Sequence, residues 1–207
     1  RGGVAQGSSR TPPARWTSSP NGYVSKRSLC ILCLEDKIVQ PAVVYVLESI
    51  YEEDFLGFSY GFRPGRGQHD ALDALHAGIY RKQVNWVLDA DIQGFFDSMA
   101  HSWIIRFLEH RMADKRILRL VAKWLKVGIT EGGCVTRSER GAPQGAEISP
   151  ILANVYLHRL DRAWSVGEYG TLVRYADDLV VMCATRQQAA AALERLRVRL
   201  AELGPEP

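Results

Sequence analysis

Residues 171–183 read Thr-Leu-Val-Arg-Tyr-Ala-Asp-Asp-Leu-Val-Val-Met-Cys. Thr171–Ala176 and Leu179–Cys183 are apolar runs of strand length, divided by Asp177-Asp178. The pattern predicts a β-hairpin with two carboxylates at its tip. Farther up the chain, Trp86–Leu88 predicts a buried strand that ends at Asp89-Ala90-Asp91, with Asp97 following Gly94-Phe95-Phe96. A carboxylate at a strand end is open to solvent on one side and held by a rigid sheet. Two such ends side by side can hold a pair of Mg²⁺ ions, which take a few carboxylates plus phosphate oxygens. Two metals ~4 Å apart activate an attacking hydroxyl and stabilise a leaving phosphate in phosphoryl transfer. On spacing alone, the same acids also fit an ordinary polar turn and a helix cap.

Outward from these acids the chain alternates strands with longer helices. Val39, Val43, Val46, Leu47 and Ile50 share one helical face from Glu35 onward, with Pro41 in the early turns. Ser59–Gly67 is a Gly/Pro/Arg loop, and a helix after it places Leu72, Leu75 and Ile79 on one face. Helices are predicted near Ser102–Met112, Asp114–Val127, Ile148–Trp164 and Gln187–Leu203, the last ended by Gly204-Pro205. Gly128–Arg140 predicts a small hairpin around Gly132-Gly133, and Ser28–Leu34 a short edge strand. Residues 1–27 carry Gly, Ser, Pro and scattered Arg without periodicity and read as a loop or arm. This mixture indicates an α+β fold rather than a regular βαβ array.

The chain has 207 residues, 46% of them hydrophobic, which is enough for a core, and its 24% charged fraction is that of a folded domain. The net charge of +3 permits nucleic-acid binding without demanding it. Arg1, Arg10, Arg15, Lys26 and Arg27 all precede the first acid, Glu35, so the start of the chain suits either phosphate contacts or a solvated tail. Cys30 and Cys33 form one C-x-x-C, and no second pair or histidine pair sits at zinc spacing. The four cysteines read as reduced thiols of a cytoplasmic protein, with a metal site as the lesser alternative. No membrane span or secretory leader is expected.

The wording around the acids adds more. Asp89-Ala90-Asp91-Ile92-Gln93-Gly94-Phe95-Phe96-Asp97-Ser98 resembles polymerase motif A of group II intron-type bacterial reverse transcriptases, the retron-type and maturase group. Tyr175-Ala176-Asp177-Asp178 resembles the family's Tyr-x-Asp-Asp box, and the run from Gly141 to Asn154 resembles its Pro-Gln-Gly block. Ser59-Tyr60-Gly61-Phe62-Arg63-Pro64-Gly65-Arg66 resembles its fingers motif. The four blocks stand in the family's order, and the resemblance runs from about Arg15 to Leu203. It implies right-hand polymerase fingers and palm, the palm an antiparallel sheet packed on helices. The boundaries expected are a basic flexible arm at 1–27, fingers at 28–85 and palm at 86–207. No thumb follows the palm here, so weak and poorly processive synthesis is expected.

The resemblance also implies roles. Asp91 and Asp177 would be the principal ligands of two Mg²⁺ ions, with Asp178 as an accessory acid. Phe96 stands at the position of a steric gate that favours deoxynucleotides. Phe95 and Phe96 would face opposite ways on a strand, so at most one would be core. Gln144 would lie beside the incoming nucleotide, with Gly145 allowing close backbone approach. Arg63 would neutralise triphosphate, with help from Lys37. Arg174 would contact primer or phosphate, or balance the carboxylates, and Arg66 could contact RNA backbone. His101 reads as structural, and Trp103, Trp124 and Trp164 read as core. The implied partners are RNA template, DNA or RNA primer, dNTPs and intron RNA, with no membrane.

The chain departs from the family's pattern in several places. Ser28, Cys30 and Leu32 stand where the family has two prolines and a glycine. Ala142 replaces a Thr, Glu147 a small apolar residue and Ala100 an Asp, and the stretch from Asp161 to Leu172 is shorter than usual. Three readings follow: an RNA-directed DNA polymerase, a non-catalytic maturase remnant that binds intron RNA, and an inactive truncated fragment.

Overall fold

The structure is a computed structural model that describes residues 14–20, 26–31, 34–81, 83–126, 129–131, 134–136, 139–143 and 145–204. The chain divides into two compact units, Arg1–Leu47 with Phe96–Leu152 and Glu48–Phe95 with Ala153–Pro207. No helix among the described residues is long and apolar enough to cross a membrane.

The second unit is built on a three-stranded antiparallel sheet. Its strands are β3 (Trp86–Asp91), β6 (Thr171–Tyr175) and β7 (Asp178–Cys183), in the order β3-β7-β6. On one face Leu172, Leu179, Val181 and Cys183 pack against Leu160 of helix α6 (Ser149–Arg162) and Ala192 and Leu196 of helix α8 (Arg186–Leu203). On the other face Val173 and Met182 pack against Ala71 of helix α2 (Gln68–Arg81). The pleat explains the split, because alternate side chains leave opposite faces. Gly78 of α2 lies where an added Cβ would stand 2.5 Å from the Met182 Cε, so the helix comes close to the sheet. Helix α8 starts at Thr185, whose side chain accepts from the Gln188 amide at 3.1 Å, while the Gln188 side chain accepts from the Ala184 amide.

The first unit contains helix α1 (Leu34–Tyr51) up to Leu47, and helices α4 (His101–Glu109) and α5 (Lys115–Leu125) packed on one another. Trp124 of α5 is buried, and its Nε1 donates to Asp36 of α1 at 2.9 Å. Pro41 lies inside α1 on an exposed turn, where water can take the place of the bond its missing N–H would make. A second sheet has the order β2-β1-β4-β5, from β1 (Ala14–Pro20), β2 (Lys26–Ile31), β4 (Ile129–Glu131) and β5 (Cys134–Thr136).

Four expectations change. Residues 14–20, read as arm, form strand β1, whose partner comes from β2 and not from any local periodicity. Leu72 and Ile79 are more than half exposed, and the buried face of α2 is instead Ala71 and Gly78, with Ala74 and Leu75 beside them. The helix approaches the sheet through its small residues, a choice that apolar spacing cannot reveal. Trp86 and Val87 are exposed because β3 is an edge strand. Phe95 and Phe96 lie in a short helix, α3 (Phe95–Ser98), and not on a strand; Phe95 is buried against Tyr156 and Phe96 is half-buried. The hairpin, the edge position of β2 and the remaining helices match the expected pattern, except that the hairpin turn is Ala176-Asp177 and Asp178 begins β7. Helix α7 (Val166–Tyr169) had no counterpart in it.

The burial difference is measurable. Leu72→Ala should change unfolding free energy by no more than about 0.5 kcal/mol, whereas Leu172→Ala should cost about 2–5 kcal/mol. Urea melts of the two variants check this, and equal losses would contradict the observed face of α2.

Candidate active site

The acids converge through strand register. Asp91 ends β3 directly opposite Asp178, the first residue of β7, and Tyr175 closes the hairpin opposite the same residue. Leu88 and Ala90 turn toward the core, while Asp89 and Asp91 turn outward. The backbone amide of Ile92 donates to the Asp177 carbonyl at 3.4 Å, tying the two acid-bearing ends together. Burial, followed by the charges of Asp177, Asp91 and Asp89, pushes the Asp178 carboxyl above its ordinary range. Four carboxylates are thus brought together, and among the described residues the charges acting on Asp178 are of like sign. Hard oxygen donors under mutual repulsion suit a hard divalent cation, and Mg²⁺ fits this donor set. Among the described residues, no three His, Cys, Asp or Glu side chains close into a ready-made metal cage.

The turn that carries Asp177 is held from behind. Ala176 has φ +56°, uncommon for a residue with a Cβ. Arg174 is wholly buried, and its Nη1 donates to the Ala176 carbonyl at 2.9 Å. Its Nε and Nη2 pair with Asp161 of α6 at 2.9 and 2.6 Å, and that carboxylate is wholly buried as well. Nη2 also reaches the Ser59 Oγ at 2.7 Å, and Nη1 the Asn154 Oδ1 at 3.2 Å. Asn154 in turn donates to the Gly61 carbonyl at 2.8 Å. Residues 58–60 run alongside β6, with bonds from the Tyr60 amide to the Arg174 carbonyl and from the Arg174 amide to the Phe58 carbonyl. A Cβ on Gly61 would stand 2.3 Å from the Ala176 nitrogen, so only glycine fits there.

This arrangement revises two expectations. Arg174 is a tie within the fold and meets no solvent, so it does not reach primer or phosphate. Arg63 is also buried, and its guanidinium is taken up by Glu52 and by the carbonyls of Leu56 and Ser59, the last two at 2.7 Å. A guanidinium so engaged shapes the loop instead of neutralising triphosphate. Arg66 donates to the Gly57 carbonyl and lies over the Tyr60 ring.

The remaining candidates belong to the first unit. Residues 139–142 run beside residues 96–101: the Ala142 amide donates to the Phe96 carbonyl at 2.7 Å and the Gly141 amide to the Met99 carbonyl at 2.8 Å. His101 is buried and its Nε2 bonds the Gly141 carbonyl at 2.7 Å, which makes it structural. The approach is close: a Cβ on Gly141, at φ +93°, would meet the Asp97 carbonyl at 3.4 Å. Gly145 is exposed with φ +90°, a conformation that glycine supplies. Gln144 lies outside the described residues. Lys37 is exposed on α1, and Glu147 is exposed just before α6. Sequence reasoning assigned nothing to Asp161, Asn154 or Ser59. The signal that could have found them is Arg174 itself, a cation inside an apolar strand that requires a buried acid.

Residues 20–206 match the sequence model of a family described as Reverse transcriptase (RNA-dependent DNA polymerase). The group II intron-encoded protein LtrA of Lactococcus lactis subsp. cremoris is 39% identical over 136 residues, which is 66% of this chain and 22% of that protein. Protein YkfC of Escherichia coli (strain K12) is 34% identical over 153 residues, 72% of this chain and 40% of that one. This chain therefore spans less than half the length of either relative. Among solved structures, telomerase from Candida albicans in complex with a fragment of telomeric RNA is similar at a TM-score of 0.69. That match covers 95% of this chain and 41% of the other at 12% identity, a likeness of fold alone.

Two outcomes follow from this geometry. Gly61→Ala should cost about 1–3 kcal/mol by overpacking, while Gly57→Ala, which meets nothing within 4 Å, should be nearly neutral; thermal melts of both variants check it. Burial lowers the pKa of His101 and of His158 below the usual 6.5. Such groups bind protons more readily when unfolded, so their contribution is complete above pH 6.5 and is lost as pH falls toward their folded values. Urea melts across this range should show stability declining below pH 6.5, and His101→Gln should make the decline shallower.

Proposed function

Because the chain belongs to the reverse transcriptase (RNA-dependent DNA polymerase) family, we propose that its acid-bearing sheet edge carries out RNA-templated nucleotidyl transfer of dNTPs onto a primer 3′-hydroxyl. The observation that carries this reading is the register of Asp91 against Asp178, with Asp177 in the adjoining turn. Polymerases of this kind use divalent metal ions. Asp91 and Asp177 would hold two Mg²⁺ ions with Asp178 beside them; bound there, the ions supply Lewis-acid activation of the hydroxyl and charge neutralisation at the phosphate.

The protein's own contribution is position and exclusion. The sheet fixes Asp91 and Asp178 at neighbouring strand ends, and the buried Arg174 sets the carbonyl of the turn that presents Asp177. Phe96 would crowd a 2′-hydroxyl, and the backbone bond from Ala142 ties its peptide to the Pro-Gln-Gly block. Gln144 and Gly145 would lie against the incoming nucleotide, and Lys37 supplies an exposed cation for its phosphates. Residues 28–85 are read as fingers and 86–207 as palm. Similarity to an intron-encoded protein supports a structured intron RNA as a partner in addition to template and primer.

The test is primer extension on an RNA template with Mg²⁺ and dNTPs. Asp177→Ala should abolish extension, a loss of at least 10³-fold on the order expected for removal of a metal-holding charge. Phe96→Ala should keep extension and admit ribonucleotides more readily. Folded wild-type protein that extends no primer on any template would overturn the polymerase reading.

A further inference from the structure

Charge is distributed unevenly along this chain. His101–Lys126, the α4–α5 hairpin, holds seven Lys and Arg against two Asp and Glu, a net +5 in a chain whose total is +3. The excess is concentrated on α5. Lys115, Arg116, Arg119, Lys123 and Lys126 fall within an arc of about 100° at 3.6 residues per turn. Ile117, Leu120, Val121, Trp124 and Leu125 occupy the opposite side, and the last four are buried. Lys115, Arg116, Arg119 and Lys126 are exposed and Lys123 is half-buried. Helix α5 itself contains no acid. The nearest acid in sequence, Asp114, caps the helix and pairs with Arg116 at 2.8 Å, and Lys115, Arg119, Lys123 and Lys126 form a row of like charge beside it.

We infer that the basic face of α5 is a docking surface for the phosphate backbone of double-helical RNA, built from residues other than the acids proposed to carry the chemistry. This assignment rests on the polymerase reading for its choice of RNA. The row spans about 16 Å, with a cation about every 5 Å along the helix axis. Such a row matches a repeating line of phosphates and offers little that reads a base edge. A-form RNA has a deep, narrow major groove, which brings phosphates of both strands toward one straight row of cations. Lysine and arginine without interleaved exposed aromatics suit a duplex backbone and not stacked single-stranded bases.

The test uses the 207-residue chain and a blunt, fluorescein-labelled RNA duplex of about 20 base pairs, long enough for the roughly 16 base pairs that a duplex-RNA module covers. Binding is followed by anisotropy as salt is varied. Replacing Lys115, Arg119 and Lys126 together by Gln should weaken binding about 10-fold or more near 0.1 M salt and flatten the log–log salt slope by about 2–3. Glu202→Gln, on α8, should bind the duplex as the wild type does. A folded triple variant with unchanged affinity and slope overturns the inference. Equal wild-type affinity for a DNA duplex of the same length, or for poly-glutamate of matched charge, also overturns it. If circular dichroism shows the triple variant unfolded, Arg119→Gln takes its place, with a slope change of about one expected. Failure of both to fold would make the row a stability element and overturns the inference too. Absence of primer extension with intact duplex binding would remove the polymerase reading alone. Extension retained by a triple variant whose duplex binding is unchanged would remove this inference alone.

Discussion

The second unit depends on one buried ion pair. Arg174 and Asp161 are both removed from water, a state that costs several kcal/mol per ion unless each donor and acceptor is met. Here the Arg174 guanidinium meets the two Asp161 oxygens, the Ser59 hydroxyl, the Asn154 amide oxygen and the Ala176 carbonyl. Those partners lie on three segments, with Asp161 and Asn154 both on α6, so satisfying a single guanidinium aligns that helix, the loop before α2 and the acid-bearing turn. The shape of that turn follows. Ala176 keeps a left-handed conformation because its carbonyl is bonded behind it and its nitrogen has Gly61 pressed against it.

The two kinds of charge on this chain behave differently. Arg174 and Asp161 neutralise each other out of solvent and act on geometry. Asp89, Asp91, Asp177 and Asp178 are gathered at one sheet edge, and the proton affinity of Asp178 is raised first by burial and then by the charges of the other three. Like charge is thus gathered at one sheet edge, while charge is fully paired at Arg174 and Asp161 a few residues away. Lys115, Arg119 and Lys126 of α5 form a third class: exposed, in a row, on a helix that contains no acid.

Much of the palm-like sheet was legible in the chain. The 171–183 hairpin, the strand ending at Asp91 and the helix over 187–203 all have local signals: apolar runs of strand length, paired acids at a turn, and a helix-ending Gly204-Pro205. The readings that changed share a cause. Strand β1 exists because β2 pairs with it, and Leu72 is exposed because α2 meets the sheet through Ala71 and Gly78. The partner of β1 follows it directly in sequence and the partner of α2 lies far along the chain, and in neither case does local hydrophobicity record the contact. Arg63 shows the same limit for polar residues. An arginine in a motif reads as a phosphate ligand until Glu52 and two carbonyls are seen to occupy it.

The sequence by itself determined the family, the α+β class and which acids stand at strand ends, since each of these rests on residue identity and short-range order. Only the tertiary structure decided that Asp91 faces Asp178, that Arg174 is locked to Asp161 and that Gly61 is pressed against the Ala176 nitrogen. Those facts depend on strand register and on segments more than a hundred residues apart reaching the same few ångströms, as Ser59 and Arg174 do. The physical reason is that a buried charge selects its partners by completeness of hydrogen bonding in space, and a linear chain does not display that completeness until it has folded.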